Sequence, residues 1–282
     1  MKLPTYLLDS LNLADFVRDH IEPELPALIR GVQVCGAQET TKESIVQTFK
    51  VESRRRVGFY DSPIEPQLTP QMAQDIMSSK DFGIRPMPMR VFMHKKGHKT
   101  LGHYDGNSIH GLNLQVKGRK HWHIYSPQSS LRFLPFMYVV MDDLSSYRNQ
   151  PGRHFEFIAE EGDLLFLPRY WVHEVASLGQ LNINLNWVFT PRTPSGSRLG
   201  VREQQIVKLR QSLPLINSAY FPDEIEGYGA IGQDVKRYTE QVTQADLLKR
   251  LAYEASNYAR LPAYYSRLRA AADDFEKNNF NV

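Results

Sequence analysis

The chain has 282 residues, 41% hydrophobic and 23% charged, with a formal net charge of +3. This describes an ordinary globular protein able to bury a sizeable core, one compact domain with an appendage rather than two independent ones. So small a charge gives no argument for nucleic acid or a membrane surface, and the single cysteine, Cys35, excludes an intramolecular disulfide and a zinc–thiolate site.

Asp9 and Asp15 interrupt the apolar residues of the N-terminal MKLPTYLLDSLNLADF, so no signal peptide is expected. No run of eighteen apolar residues follows. A soluble, cytoplasmic protein without nucleic-acid or membrane partners is the expectation. Residues 5–22 are predicted as a short helix and 27–34 as a strand. Thr40 with Glu43 makes a capping box before a second helix, and RRRVGFY (54–60) reads as a strand. Thr69 followed by Pro70 opens a helix to about Ser79. Met89 to Lys95 is strand-like and leads through the basic turn HKKGHK into the richest stretch of the chain.

Beyond it lie short predicted strands at 100–105, 111–117, 119–125, 154–159, 163–167, 172–178 and 181–190. Gly106, Gly118, Gly162 and Gly179 punctuate them. Such a succession argues for an antiparallel sandwich or barrel. In NINLNW, Asn182, Asn184 and Asn186 alternate with Ile183, Leu185 and Trp187, so one face of that strand is wholly polar and is expected to line a cavity. After the linker-like TPRTPSGS the pattern becomes helical. Helices are predicted at Val201–Leu213, Asp234–Val242, after the cap formed by Thr243 and Asp246, and beyond Pro262 to about Phe275.

The chemistry concentrates in TLGHYDGNSIHGLNLQVKGRKHWHIYSP (100–127) and GDLLFLPRYWVHEV (162–175). His103 and Asp105, two apart at a strand end, point to one side, and His173 offers a third donor. Two imidazoles and one carboxylate with open positions left over suit Fe(II). Lys120 would be costly to bury without a counter-charge, which a dicarboxylate would supply. Asn113 and Lys120 have opposite parity, so a bulge at Lys117-Gly118 is expected to turn both inward.

These motifs resemble the JmjC (cupin-like) family of Fe(II)- and 2-oxoglutarate-dependent oxygenases, in particular the branch of JmjC-only hydroxylases that contains the factor-inhibiting-HIF asparaginyl hydroxylase. The resemblance covers roughly residues 20–190. It implies a mainly β fold with flanking helices: a double-stranded β-helix, the jelly-roll or cupin-like barrel, over residues 1–195. A C-terminal helical region over 196–282 follows, a possible dimerisation element. It implies His103, Asp105 and His173 as catalytic metal ligands, and Lys120 and Thr100 on the far carboxylate of 2-oxoglutarate. Asn113, Asn184, Asn186 and Tyr60 are the further positions implied around the cosubstrate. The implied reaction is hydroxylation of a protein or peptide side chain, or of a small amino-acid-like substrate, with O2 consumed and succinate and CO2 released. N-methyl demethylation at the same site, or a non-catalytic metal-binding module, are the alternatives. A homodimer through the C-terminal helices is expected.

Other residues read more plainly. His121 and His123 are expected to face outward, and His94 and His98 to sit in a solvated turn. Arg54–Arg56 are expected to form a charged face. Glu174, adjoining His173, should point to the opposite side of its strand, and a zinc hydrolase is disfavoured because no general base stands beside the triad. Tyr253, Tyr258, Tyr264 and Tyr265 read as packing or a subunit interface.

Overall fold

Period-two alternation gives the large sheet an apolar outer face and, along its strands Met89–Lys95, His110–Lys117 and Leu181–Thr190, an inner face carrying buried polar side chains. The computed structural model describes residues 1–33, 58–62, 69–78, 85–86, 89–106, 109–190, 198–212, 242–266 and 269–270. The strands are β1 (Thr5–Leu7), β2 (Ala27–Arg30), β3 (Gly58–Ser62), β4 (Arg85–Pro86), β5 (Met89–Lys95) and β6 (Lys99–His103), then β7 (His110–Lys117), β8 (Lys120–Tyr125), β9 (His154–Ala159), β10 (Leu164–Leu167), β11 (Val172–Ser177) and β12 (Leu181–Thr190). They form a large sheet in the order β1-β2-β10-β7-β12-β5-β3, with β4 on β12, and a small sheet in the order β6-β11-β8-β9. All pairings are antiparallel except β1 with β2. Two sheets with consecutive strands swapped between them are the jelly-roll arrangement expected from the sequence.

On the outer face of the large sheet, Ile183, Leu185 and Trp187 join Val91, Met93, Leu112, Leu114, Leu164 and Phe166 in the main apolar core. Phe16, Val17 and Ile21 cover that face together with Ala73 and Ile76 of a helix, Gln71–Ser78. The alternate positions Asn182, Asn184 and Asn186 are also buried, on the inner face. There the sheets meet, Leu165 and Leu167 packing against Trp122, Ile124, Phe155 and Val175. The polar face of NINLNW therefore lines the interior, as its alternation predicts.

Two expectations are corrected. The helix expected from residue 5 starts only at Leu13, where Asn12 Oδ1 accepts from the Asp15 amide. Before that, Thr5–Leu7 satisfies its backbone as a strand beside β2. At Lys117-Gly118 the register does shift, Ile183 pairing with Lys117 and Asn184 with Gln115, but Lys120 reaches the inner face because the turn there carries the chain from β7 in one sheet to β8 in the other, with Gly118 at φ +72°. Asn113 and Lys120 both face inward because their sheets oppose each other. The capping box at Thr40, the arginines 54–56, and the helix expected to begin at Asp234 lie outside the described residues.

The small sheet's outer face is covered by the segment 126–153, through Tyr125, Leu131, Val140, Leu144 and Tyr147. Helices α1 (Arg198–Ser212) and α2 (Gln244–Ser256) pack on that segment in turn: Phe136 with Ile206, Leu209, Leu247 and Leu251. The capping box predicted at Thr243 and Asp246 is present. Among the described residues, no helix is long and apolar enough to cross a membrane.

Candidate metal centre

His103 closes β6 and His173 is its direct antiparallel partner on β11. Their rings lie 4.3 Å apart, and His103 Nε2 stands 3.9 Å from Asp105 Oδ1, two residues past His103. One donor atom from each of the three lies within 4.8 Å of the others. The two imidazoles are oriented in the same way. His103 Nδ1 is 2.8 Å from the Leu101 carbonyl and His173 Nδ1 is 3.1 Å from that of Trp171. A carbonyl only accepts, so each Nδ1 carries the proton and each Nε2 keeps its lone pair for an ion.

The strap before β11 holds His173 in place. Tyr170 adopts the left-handed backbone, φ +66°, and is buried. On either side, Trp171 Nε1 donates to the Glu24 carbonyl at 2.9 Å and Arg169 Nε to Glu24 Oε1 at 2.6 Å. A strained residue persists where its surroundings over-determine it. Burial, and the neighbouring His103, push the pKa of His173 down to about 4, so it is neutral and able to ligate at physiological pH.

Lys120 lies on the same inner face of β8 as Trp122, whose ring is 5.9 Å from that of His173. It is 4% exposed, its Nζ sits 5.9 Å above the Phe92 ring, and burial lowers its pKa to about 7. No ion pair offsets that burial among the described residues, so the ammonium lacks an anion. Thr100 of β6 registers with Val175 of β11, and its Oγ1 is 3.4 Å from His98 Nε2. Asn186 Nδ2 donates to Asn113 Oδ1 at 2.9 Å, and Asn184 Nδ2 reaches Gln115 Oε1 at 3.5 Å, across β7 and β12. Tyr60 lies on β3 opposite Val91, and its side chain is outside the described residues.

The donor set fits an Fe(II) ion: two oriented imidazoles and a carboxylate, no thiolate, with room for further ligands. The chamber's unpaired ammonium fits a dicarboxylate. Residues 37–194, more than half of the chain, match the family described as the cupin-like domain.

The chain belongs to the cupin-like domain family. It is 30% identical over 138 residues to HSPB1-associated protein 1 of Rattus norvegicus, covering 41% of this chain and 27% of that protein. It is 31% identical over 140 residues to tRNA wybutosine-synthesizing protein 5 of Danio rerio, covering 45% and 40% respectively. To the 2-oxoglutarate and iron-dependent oxygenase JMJD4 of Gallus gallus it is 33% identical over 109 residues, covering 35% and 26%. The matched region thus spans well under half the length of each of these relatives.

Two side-chain groups of this cupin-like domain depart from or extend the sequence reading. His94 is not in a solvated turn: it belongs to β5 and is 8% exposed, and its ring stacks 3.8 Å from that of His98, which follows the turn half-buried. The signal was present, since Arg90, Phe92 and His94 alternate with Met89, Val91 and Met93 just as the asparagines of β12 alternate with its apolar residues. His121 and His123 do face outward, and with Glu156 of β9 they form a second convergent group. There Glu156 Oε1 also takes Arg148 Nη2 at 2.8 Å, an ion-pair network that leaves the buried Nδ1 of His123 without a hydrogen-bond partner among the described residues. Glu174, on the opposite side from His173 as expected, pairs with Lys99 at 3.2 Å.

Proposed function

We propose that this cupin-like domain is an Fe(II)- and 2-oxoglutarate-dependent dioxygenase acting as a hydroxylase. Its substrate is a protein or peptide side chain or a small amino-acid-like molecule. The observation that carries the reading is the pairing, in one polar chamber, of a triad with both Nε2 lone pairs free and a buried lysine without an anion. His103, Asp105 and His173 are the proposed metal ligands. Iron, when bound, supplies the oxygen and decarboxylation chemistry that no side chain offers.

The chain's own residues do the rest. The Leu101 and Trp171 carbonyls fix the two imidazole tautomers. Lys120 and Thr100 hold the far carboxylate of 2-oxoglutarate, the lysine gaining the counter-charge its burial demands. Asn113 and Asn186, already hydrogen-bonded to one another, present amide groups beside the cosubstrate. Trp122, Ile124 and Val175 keep water from that space. The C-terminal helices pair two copies through the exposed Leu248, Tyr253 and Tyr258.

The test is release of succinate from 2-oxoglutarate by purified protein with Fe(II), followed by a search of peptide and metabolite pools for a gain of one oxygen atom. Absence of metal-dependent succinate release under all substrate pools tried would sink the reading.

A further inference from the structure

β5 sends Phe92 and His94 into the chamber, at the positions alternate to Val91 and Met93 of the outer core. Asn182 stands opposite His94 on β12, and its Nδ2 lies 3.4 Å from the His94 carbonyl, which anchors the strand end. The His94 ring stacks on His98 with planes 11° from parallel. Stacking occupies a ring face, so polar contact is left to the ring edge. Nδ1 of His94 is buried at that edge, and no hydrogen-bond partner meets it among the described residues. A buried ring nitrogen left unmet is costly, and the tautomer that protonates Nδ1 makes it a donor.

Its surroundings say what would meet it. Lys120 stands four strand residues (about 13 Å) from the level of His173, with its Nζ 5.9 Å above the Phe92 ring, which in turn stacks 6.3 Å from the His94 ring; burial and this charge keep both imidazoles uncharged. The Thr100 hydroxyl is in contact with His98. Ammonium, hydroxyl and imidazole edge thus gather at the end of the chamber away from the triad, all able to donate. Such a set takes an anion with several acceptor oxygens.

Resting on the 2-oxoglutarate reading above, we propose that His94 is a specificity-determining residue. Its imidazole is the end wall of the cosubstrate pocket and donates from Nδ1 to the distal carboxylate of a five-carbon oxo diacid, beside Lys120 and Thr100. A lysine on its flexible stem can follow a carboxylate to several depths. A ring clamped by a stacked neighbour cannot, so His94 is what measures the length of the diacid.

The experiment measures dissociation constants of 2-oxoglutarate and its one-carbon-longer homologue, 2-oxoadipate, on the full-length protein loaded with Mn(II), without turnover. The wild type should prefer 2-oxoglutarate. His94→Ala should weaken 2-oxoglutarate roughly tenfold or more, as expected for loss of a hydrogen bond to a charged group, and narrow the preference over 2-oxoadipate. His94→Phe keeps a ring for the stack but has no donor, and should lose 2-oxoglutarate affinity similarly. His94→Gln restores a donor and should recover most of it, an effect that a merely structural role would not produce. Unchanged affinities and preference in both His94→Ala and His94→Phe, with binding still lost in Lys120→Ala, would overturn the assignment of His94 and leave the oxygenase reading standing. Failure of the wild type itself to bind 2-oxoglutarate would overturn both.

Discussion

The three proposed ligands do not contribute alike. His103 and His173 are held by backbone carbonyls at facing positions of two strands, whereas Asp105 lies past the strand end. Alanine at any of the three should abolish Fe(II)-dependent succinate release while leaving the unfolding temperature within a few degrees of wild type, since none is in an apolar core. A variant with near-native turnover would remove that residue from the ligand set. Lys120→Ala should raise the 2-oxoglutarate requirement by roughly 30-fold or more, the effect of truncating one partner of a buried charge pair, with little change in metal affinity. Titration of Lys120 gives a second signature. Its folded pKa, about 7, is below the ordinary 10.5, so between those values the unfolded chain binds a proton that the folded chain does not. Stability of the unliganded protein should therefore rise with pH across that window. Dianion binding runs the other way: it restores the proton to Lys120, so affinity should fall as pH climbs above 7, by up to tenfold per unit. Calorimetry at several pH values checks both signs, and a flat affinity profile would separate Lys120 from the anion.

The strands of the barrel were legible element by element, because period-two alternation and glycine turns are local. β9 and β12 begin and end where the sequence places them, and Gln71–Ser78 follows Thr69-Pro70. What was not legible depends on partners far along the chain. Residues 5–7 have no strand signal of their own and are extended because β2 lies beside them. The register shift beside Lys117 was legible, but not the change of sheet at Lys117-Gly118, because sequence parity cannot say that two strands belong to opposed sheets. For the same reason the convergence of His103, Asp105 and His173, which have motifs, was legible, whereas the burial of His94 and its stacking on His98, beside a lysine-rich turn, was not. Two elements carry sharp stability predictions. A Cβ on Gly118 would sit 2.3 Å from the Leu181 carbonyl oxygen, with φ already left-handed, so Gly118→Ala should cost at least about 2 kcal/mol in denaturant unfolding. In α2, Glu254 is fully buried, accepts from the Phe136 amide at 3.0 Å, and pairs with Arg202 and Arg250 at 3.5 and 3.3 Å. Glu254→Ala leaves two guanidinium groups without their carboxylate, though Arg202 keeps Tyr104 and the Met137 carbonyl and Arg250 keeps Gln205, and should cost about 3 kcal/mol, loosening the helix from the barrel. A loss below 1 kcal/mol would show that the C-terminal helices dock mainly through Ile206, Leu209 and Leu251.

At the scale of the molecule, the C-terminal helices have two apolar sides to account for. One is met by Phe136 and its neighbours. The other leaves Leu248 68% exposed, with Tyr253, Tyr258 and Tyr265 also in the open. Amphipathic helices bury their stripes against something, and a second copy is the proposed cover. Light scattering at micromolar concentration should give a dimer, and Leu248→Glu should convert it to a monomer. A wild-type monomer would end that proposal.

β6 is the edge of the small sheet. On one side it pairs with β11, through a register that slips between His173 and Val175, and on the other, among the described residues, its backbone bonds to the segment at 138–140. Its last residue and the β11 residue directly across from it are both proposed ligands. An ion held by that pair rivets an edge strand of the sheet to its neighbour, so occupancy of the centre should be written into backbone protons as well as into chemistry. Amide exchange at Leu101, Gly102 and His103 should slow when Mn(II) is added, while the amides between β8 and β9, which no ligand joins, keep their rates.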